Sequence, residues 1–117
     1  KPGVKFISLA ELQRLIKADD DGLLIVDVLG PESYRRAHIK GAVNIPLAVL
    51  GEEKNILLLR RYKTIVVYCS GPACSASVKA AELLVGMGFV NVFSFKGGMK
   101  EWTEAALPVE AVVSAGD

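Results

Sequence analysis

Two kinds of hydrophobic pattern alternate along this chain. Ser8-Leu9-Ala10-Glu11 has the form of a capping box, in which serine and glutamate satisfy free N–H groups at a helix start, and Leu9, Leu12, Leu15 and Ile16 continue at helical spacing. The preceding Val4-Lys5-Phe6-Ile7 has the length of an edge strand, and Asp19 to Gly22 reads as a polar turn. Leu23-Leu24-Ile25-Val26 is then a continuous apolar run closed by Asp27, the signature of a strand covered on both faces. Pro31 suits the first turn of a short helix reaching Tyr34 and Arg36, where its missing N–H costs nothing. Gly41 to Pro46 reads as a brief strand stopped by proline. Leu47 to Gly51 and Ile56 to Arg61 read as short helices, with loop residues Gly51 to Asn55 between them.

The second half repeats the alternation. It predicts a strand Thr64 to Tyr68, a loop Cys69 to Cys74, a helix Ser75 to Met87 with Gly88 as a left-handed stop, and a strand Val90 to Phe93. Gly97-Gly98 makes a turn into a helix Met99 to Ala105, whose Trp102 packs inward. Pro108 ends the ordered pattern and leaves residues 109–117 as a loosely held tail. Strands alternating with helices predict one α/β domain over residues 1–117, its core at about 5–108, with a mostly parallel sheet between helices.

Composition narrows the function classes. Hydrophobic residues make up 51% of the 117, ample for a packed core, and 14 basic against 13 acidic residues leave a net charge of +1. No charge cluster is longer than Asp19-Asp20-Asp21 or Arg60-Arg61, so nothing points to nucleic acid. Asn44, Pro46, Arg60 and Lys63 interrupt the apolar stretches well short of the roughly 20 residues needed to cross a bilayer. No signal-peptide pattern opens the chain, which begins at Lys1 rather than Met; the expectation is a soluble, cytoplasmic protein, trimmed or part of something longer. Cys69 and Cys74 are the only cysteines and His38 the only histidine, too few ligands for a metal site, and no organic cofactor is implied.

Cys69 is the residue on which chemistry converges. It ends an apolar strand and opens the small-residue loop Ser70-Gly71-Pro72-Ala73-Cys74 before a helix. Amides of such a loop, together with the helix dipole, can stabilise a thiolate; the expectation is a Cys69 thiol more acidic than a free cysteine. Ligand crevices of open α/β sheets lie beyond the carboxyl ends of the strands, which here end at Asp27, Cys69 and the segment Ser94 to Gly98. Asp27 is either a catalytic acid or a strand-end carboxylate accepting loop N–H bonds. His38 is either a general base or a turn residue donating to a backbone carbonyl.

At this point the chain resembles the rhodanese-like family. The resemblance rests on Leu24 to Val28, Glu32-Ser33-Tyr34 and His38 to Pro46, then on Val66 to Cys69 with its loop and Gly97 to Trp102. It implies a sulfurtransferase in which Cys69 accepts sulfane sulfur as a persulfide and passes it to a thiol or other thiophilic acceptor. The donor would be a small molecule or a protein-borne persulfide. The loop Cys69 to Cys74 has the six-residue length of sulfurtransferase members, and its Cys-Ser-Gly-Pro-Ala-Cys sequence resembles a variant subgroup. Ser70, Gly71, Pro72, Ala73 and Ser75 would form the loop that binds the persulfide, with Ser75 also capping the following helix by its hydroxyl and with Asp27, His38 and Gly97 in support. Two departures bear on substrate. Cys74 stands where many members carry an arginine, and Leu29 replaces a further arginine, which removes forked donors for an anion such as thiosulfate. Pro72 lacks an amide hydrogen. Cys74 is then either a resolving thiol for the Cys69 persulfide or a small residue plugging the loop floor. The other class of function compatible with the chain is a non-catalytic rhodanese-like binding or regulatory module.

Overall fold

The computed structural model describes residues 3–18 and 21–112. The turn expected over Asp19 to Gly22 and the tail expected over 109–117 lie partly outside them.

Five parallel strands form one sheet. They are β1 (Lys5–Phe6), β2 (Leu23–Asp27), β4 (Val43–Asn44), β5 (Thr64–Tyr68) and β6 (Val92–Phe95), in the order β1-β6-β5-β2-β4. The two longest strands lie side by side, with Asp27 level with Tyr68, so their carboxyl ends reach the same edge of the sheet. A separate antiparallel pair joins β3 (His38–Ile39) to β7 (Val109–Glu110).

Period-two alternation sorts the side chains of this sheet onto two cores. Leu24, Val26 and Val28 of the β2 segment, with Ile65, Val67 and Cys69 of the β5 segment, face α3 (Glu53–Leu59), α4 (Ala76–Gly86) and a 3-10 turn at Leu47–Val49. Ile25, Val66, Tyr68 and Phe95 form the opposite face, against α1 (Leu9–Lys17) and α5 (Gly98–Glu104) through Leu12 and Trp102. The fold is thus an α/β domain with helices on both faces of a parallel sheet, as the alternation predicts.

Local signals hold where one residue decides the backbone. Ser8 and Glu11 make both bonds of the capping box, Pro31 opens α2 (Pro31–Arg36) at its first turn, and Gly88 takes the left-handed φ of +96°. Several boundaries shift. Helix α3 begins at Glu53, inside the predicted loop, because Glu52 in extended conformation caps it and Asn55 and Ile56 donate back to the Glu52 carbonyl. Strand β6 is displaced by two residues at both ends from the predicted Val90 to Phe93, since its ladder with β5 runs from the pair Ile65 and Val92 to the pair Tyr68 and Phe95. Order also extends past Pro108: β7 pairs with β3, and the Glu110 carboxylate accepts the Gly41 amide at 2.9 Å.

Candidate active site

The connection from β5 to α4 is the six-residue loop Cys69 to Cys74 followed by Ser75. Ser75 occupies the helix N-cap position, but its φ/ψ of −93°/−4° is already helical and its side chain makes no capping bond, which corrects the expectation that it caps by its hydroxyl. Within the loop, Gly71-Pro72-Ala73-Cys74 is a turn closed by the Cys74 amide on the Gly71 carbonyl at 3.0 Å, with Pro72 at the position where its fixed φ is favourable. The amide of Cys74 is therefore committed inside the loop. Ser70, Pro72, Ala73 and Ser75 are exposed, Gly71 is buried and Cys74 is half-buried.

A second segment clamps this loop from the side. Met99 donates its amide to the Cys69 carbonyl at 3.0 Å and Lys100 to that of Ser70 at 2.8 Å, so the first free N–H groups of α5 are satisfied by the cysteine loop. The approach requires glycine at the helix start. Gly98 has φ +59°, and a Cβ there would run into the Cys69 carbonyl oxygen and come within 2.8 Å of the Gly71 amide. Gly97, the glycine singled out from sequence, is confined instead by the Glu101 side chain. Gly98 is the functional glycine that sequence reasoning missed, and the Gly97-Gly98 turn was its signal.

Cys69 is 1% exposed and carries a free thiol, as does Cys74. Its sulfur accepts the Ser77 amide at 3.4 Å and lies 3.6 Å from the Cys74 carbonyl, toward which its S–H points. Burial pushes the Cys69 thiol up, and its contacts with Cys74 push the same way, while the Ser77 hydroxyl and amide draw it down. The thiol thus stands above its ordinary range, contrary to the sequence expectation, because burial of the sulfur and its contacts with Cys74 outweigh the donors from Ser77. Cys74 behaves oppositely. Burial pushes it up as well, but Cys69, the amides of Ala76 and Ser70 and the Ser70 hydroxyl outweigh that and hold it below the ordinary range. The donors expected around Cys69 gather on Cys74. No lysine or arginine is among the groups that shift either thiol.

Asp27 does not join this site. Its register places it on the opposite face of the sheet from Cys69. It is fully buried, and Oδ1 accepts the Leu29 amide at 2.9 Å while Oδ2 has no hydrogen-bond partner among the described residues. Burial pushes its carboxyl above the usual range, against the Leu29 amide and the neighbouring Tyr68 and His38. Its contact with the Leu29 amide is that of a strand-end cap. His38 is likewise structural. Its Nδ1 donates to the Tyr34 carbonyl at 2.8 Å, its ring stacks on Tyr34 at 3.7 Å, and Nε2 faces Glu110 at 3.7 Å, none of them in the cysteine loop. Among the described residues no cluster of three metal-ligating side chains occurs, and no helix is long and apolar enough to cross a membrane.

A strand-end cysteine, a helix-clamped loop and a parallel sheet are together a family pattern, and the signature of the rhodanese-like domain matches residues 8–105. The chain belongs to the rhodanese-like family. This rhodanese-like domain is 36% identical over 98 residues to the thiosulfate sulfurtransferase GlpE of Coxiella burnetii, covering 84% of the chain and 86% of that protein. It is 37% identical over 113 residues to the HTH-type transcriptional regulator Rv0324 of Mycobacterium tuberculosis, 95% of the chain but only 48% of the regulator's length. Among solved structures it is similar to the BH2092 protein of Bacillus halodurans, with a TM-score of 0.83 and 32% identity over 97% of this chain and 81% of that one.

Proposed function

We propose that this rhodanese-like domain is a sulfurtransferase that carries sulfane sulfur as a persulfide on Cys69, with Cys74 as the resolving thiol. The observation that carries the reading is the pair of free thiols in one clamped loop, with the Cys69 sulfur against the Cys74 carbonyl and Cys74 holding the more acidic thiol. Family membership and the relative named thiosulfate sulfurtransferase support it.

In the first step the Cys69 thiolate attacks the outer sulfur of a persulfide or polysulfide donor. The new S–S bond forms as the donor's own S–S bond breaks, and the donor leaves as a thiolate. An external thiol then takes the sulfur and restores Cys69. Where no acceptor is present, the Cys74 thiolate attacks the inner sulfur of the Cys69 persulfide, expels hydrosulfide and closes a Cys69–Cys74 disulfide, which a dithiol reductant reopens. Thiosulfate is the weaker donor, because the loop Cys69 to Cys74 carries no lysine or arginine of its own to hold the dianion.

Intact-mass measurement tests this. Exposure to glutathione persulfide or polysulfide should add one sulfur to the chain, thiosulfate should add much less, and Cys69→Ser should abolish loading; equal loading of that variant removes Cys69 from the role.

A second reading, a rhodanese-like binding or regulatory module, is favoured by one observation, the 1% exposure of Cys69. The match to part of a transcriptional regulator accords with it. Absence of sulfur loading from every donor would select this reading.

A further inference from the structure

Beneath Cys69 lie two serines that neither the sequence pattern nor the loop explains. Ser77 stands in the first turn of α4 and Ser94 on β6, and both are fully buried. Their hydroxyls meet at 2.9 Å, with Ser94 donating to Ser77. The Ser77 amide points at the Cys69 sulfur at 3.4 Å, which sets the Ser77 side chain beside that sulfur, where it favours the charged thiolate.

The direction of these bonds has a chemical consequence. The Ser77 oxygen accepts from Ser94, which leaves its own hydrogen to turn toward the sulfur that its amide already meets. No bulk water reaches either group, so the hydrogens keep their direction, and each bond in the chain polarises the next. Two donors from Ser77, at the positive end of α4, are thereby aimed at one sulfur.

We propose that Ser77 and Ser94 are positioning residues for Cys69: Ser94 orients the Ser77 hydroxyl, and Ser77 donates that hydroxyl and its amide to the charged sulfur of the thiolate and of the persulfide. Ser77 favours the charged form of Cys69 through both its side chain and its amide, against burial and Cys74. The proposal rests on Cys69 being the reactive thiol of the preceding section.

The experiment uses the Cys74→Ser protein, in which Cys69 is the one thiol, and follows the iodoacetamide alkylation rate against pH. Ser77→Ala should move the midpoint upward by about one pH unit, since a hydrogen bond to a charged group is worth roughly that much. Ser94→Ala should move it less in the same direction. The double variant should match Ser77→Ala alone, because Ser94 acts only through Ser77, and Ser77→Thr should restore the original midpoint. The double variant leaves neither hydroxyl orphaned, so it supplies the reading if Ser77→Ala fails to fold. An unmoved midpoint in folded Ser77→Ala or in the double variant overturns the proposal, as does a Ser94→Ala shift that adds fully to that of Ser77→Ala. Alkylation requires no sulfur transfer. A protein that shows these shifts but loads no sulfur would refute the sulfurtransferase reading and leave the relay standing.

Discussion

Gly98 and Cys69 meet backbone against backbone, with the carbonyl oxygen of Cys69 in the space that a Cβ on Gly98 would fill. The loop bearing the thiol and the helix α5 are therefore one unit, tied by the bonds from Met99 and Lys100. Gly98→Ala should push the two apart. It combines a left-handed φ with a backbone collision, and the φ alone costs about 1–2 kcal/mol. The expected result is a lower urea midpoint together with loss of sulfur loading. Gly30→Ala is the matched control, with φ −67° and nothing within 4 Å of the added carbon, and should be nearly neutral.

The two thiols should differ in the order set by their surroundings. Cys74 is half-buried and held below the ordinary cysteine range, whereas Cys69 is covered and stands above it. Substoichiometric iodoacetamide at neutral pH should mark Cys74 first, with Cys69 following as the pH rises. Peptide mapping reads the order directly, and preferential labelling of Cys69 would show that the loop opens in solution.

Once Cys69 carries sulfur, Cys74 should reveal its role. Without an external acceptor, the loaded protein should release sulfide and settle at a mass two hydrogens below the reduced form. Cys74→Ser should hold its persulfide for much longer while keeping its fold, serine being close in size. Equal retention by both proteins, with no disulfide peptide, would make Cys74 a packing residue.

The Asp27 carboxyl should leave a mark on stability. Its pKa in the fold lies above the ordinary value of 3.8, so the folded chain binds the proton more tightly than the unfolded one. The stability it contributes is fully present below that ordinary value and declines as pH rises through the raised one, with no further change above it. Asp27→Asn should remove this decline, so that its urea midpoint gains on the parent's between acid and neutral pH. Parallel profiles of the two proteins would contradict the assignment.

Much of the fold was legible because the deciding interactions are short in sequence. Ser8 and Glu11 are three residues apart, Pro31 needs only its own ring, and Gly88 only its missing side chain. The apolar runs Leu23 to Val26 and Thr64 to Tyr68 declared buried strands because parallel sheets covered on both faces demand them. The strand pair β3 and β7 was not legible. Each is two residues long, and what joins them is a ladder between His38 and Glu110 that no local pattern announces.

The site divides along the same line. The sequence by itself determined that a cysteine stands at a strand end, followed by a proline-bearing loop that a second cysteine closes and by a helix, because these are facts of order and side-chain type. Tertiary structure alone decided which donors reach which sulfur. Cys69 and Asp27 both end central strands, yet pleating turns them to opposite faces, so the carboxylate expected near the thiol caps a turn on the other side. Ser77 and Ser94 lie 17 residues apart, and only the packing of α4 on β6 brings their hydroxyls together beneath Cys69. A thiol's acidity is the balance of desolvation against hydrogen bonds from groups remote in sequence, so Cys69 and Cys74 acquire their opposite characters only when the chain closes around them.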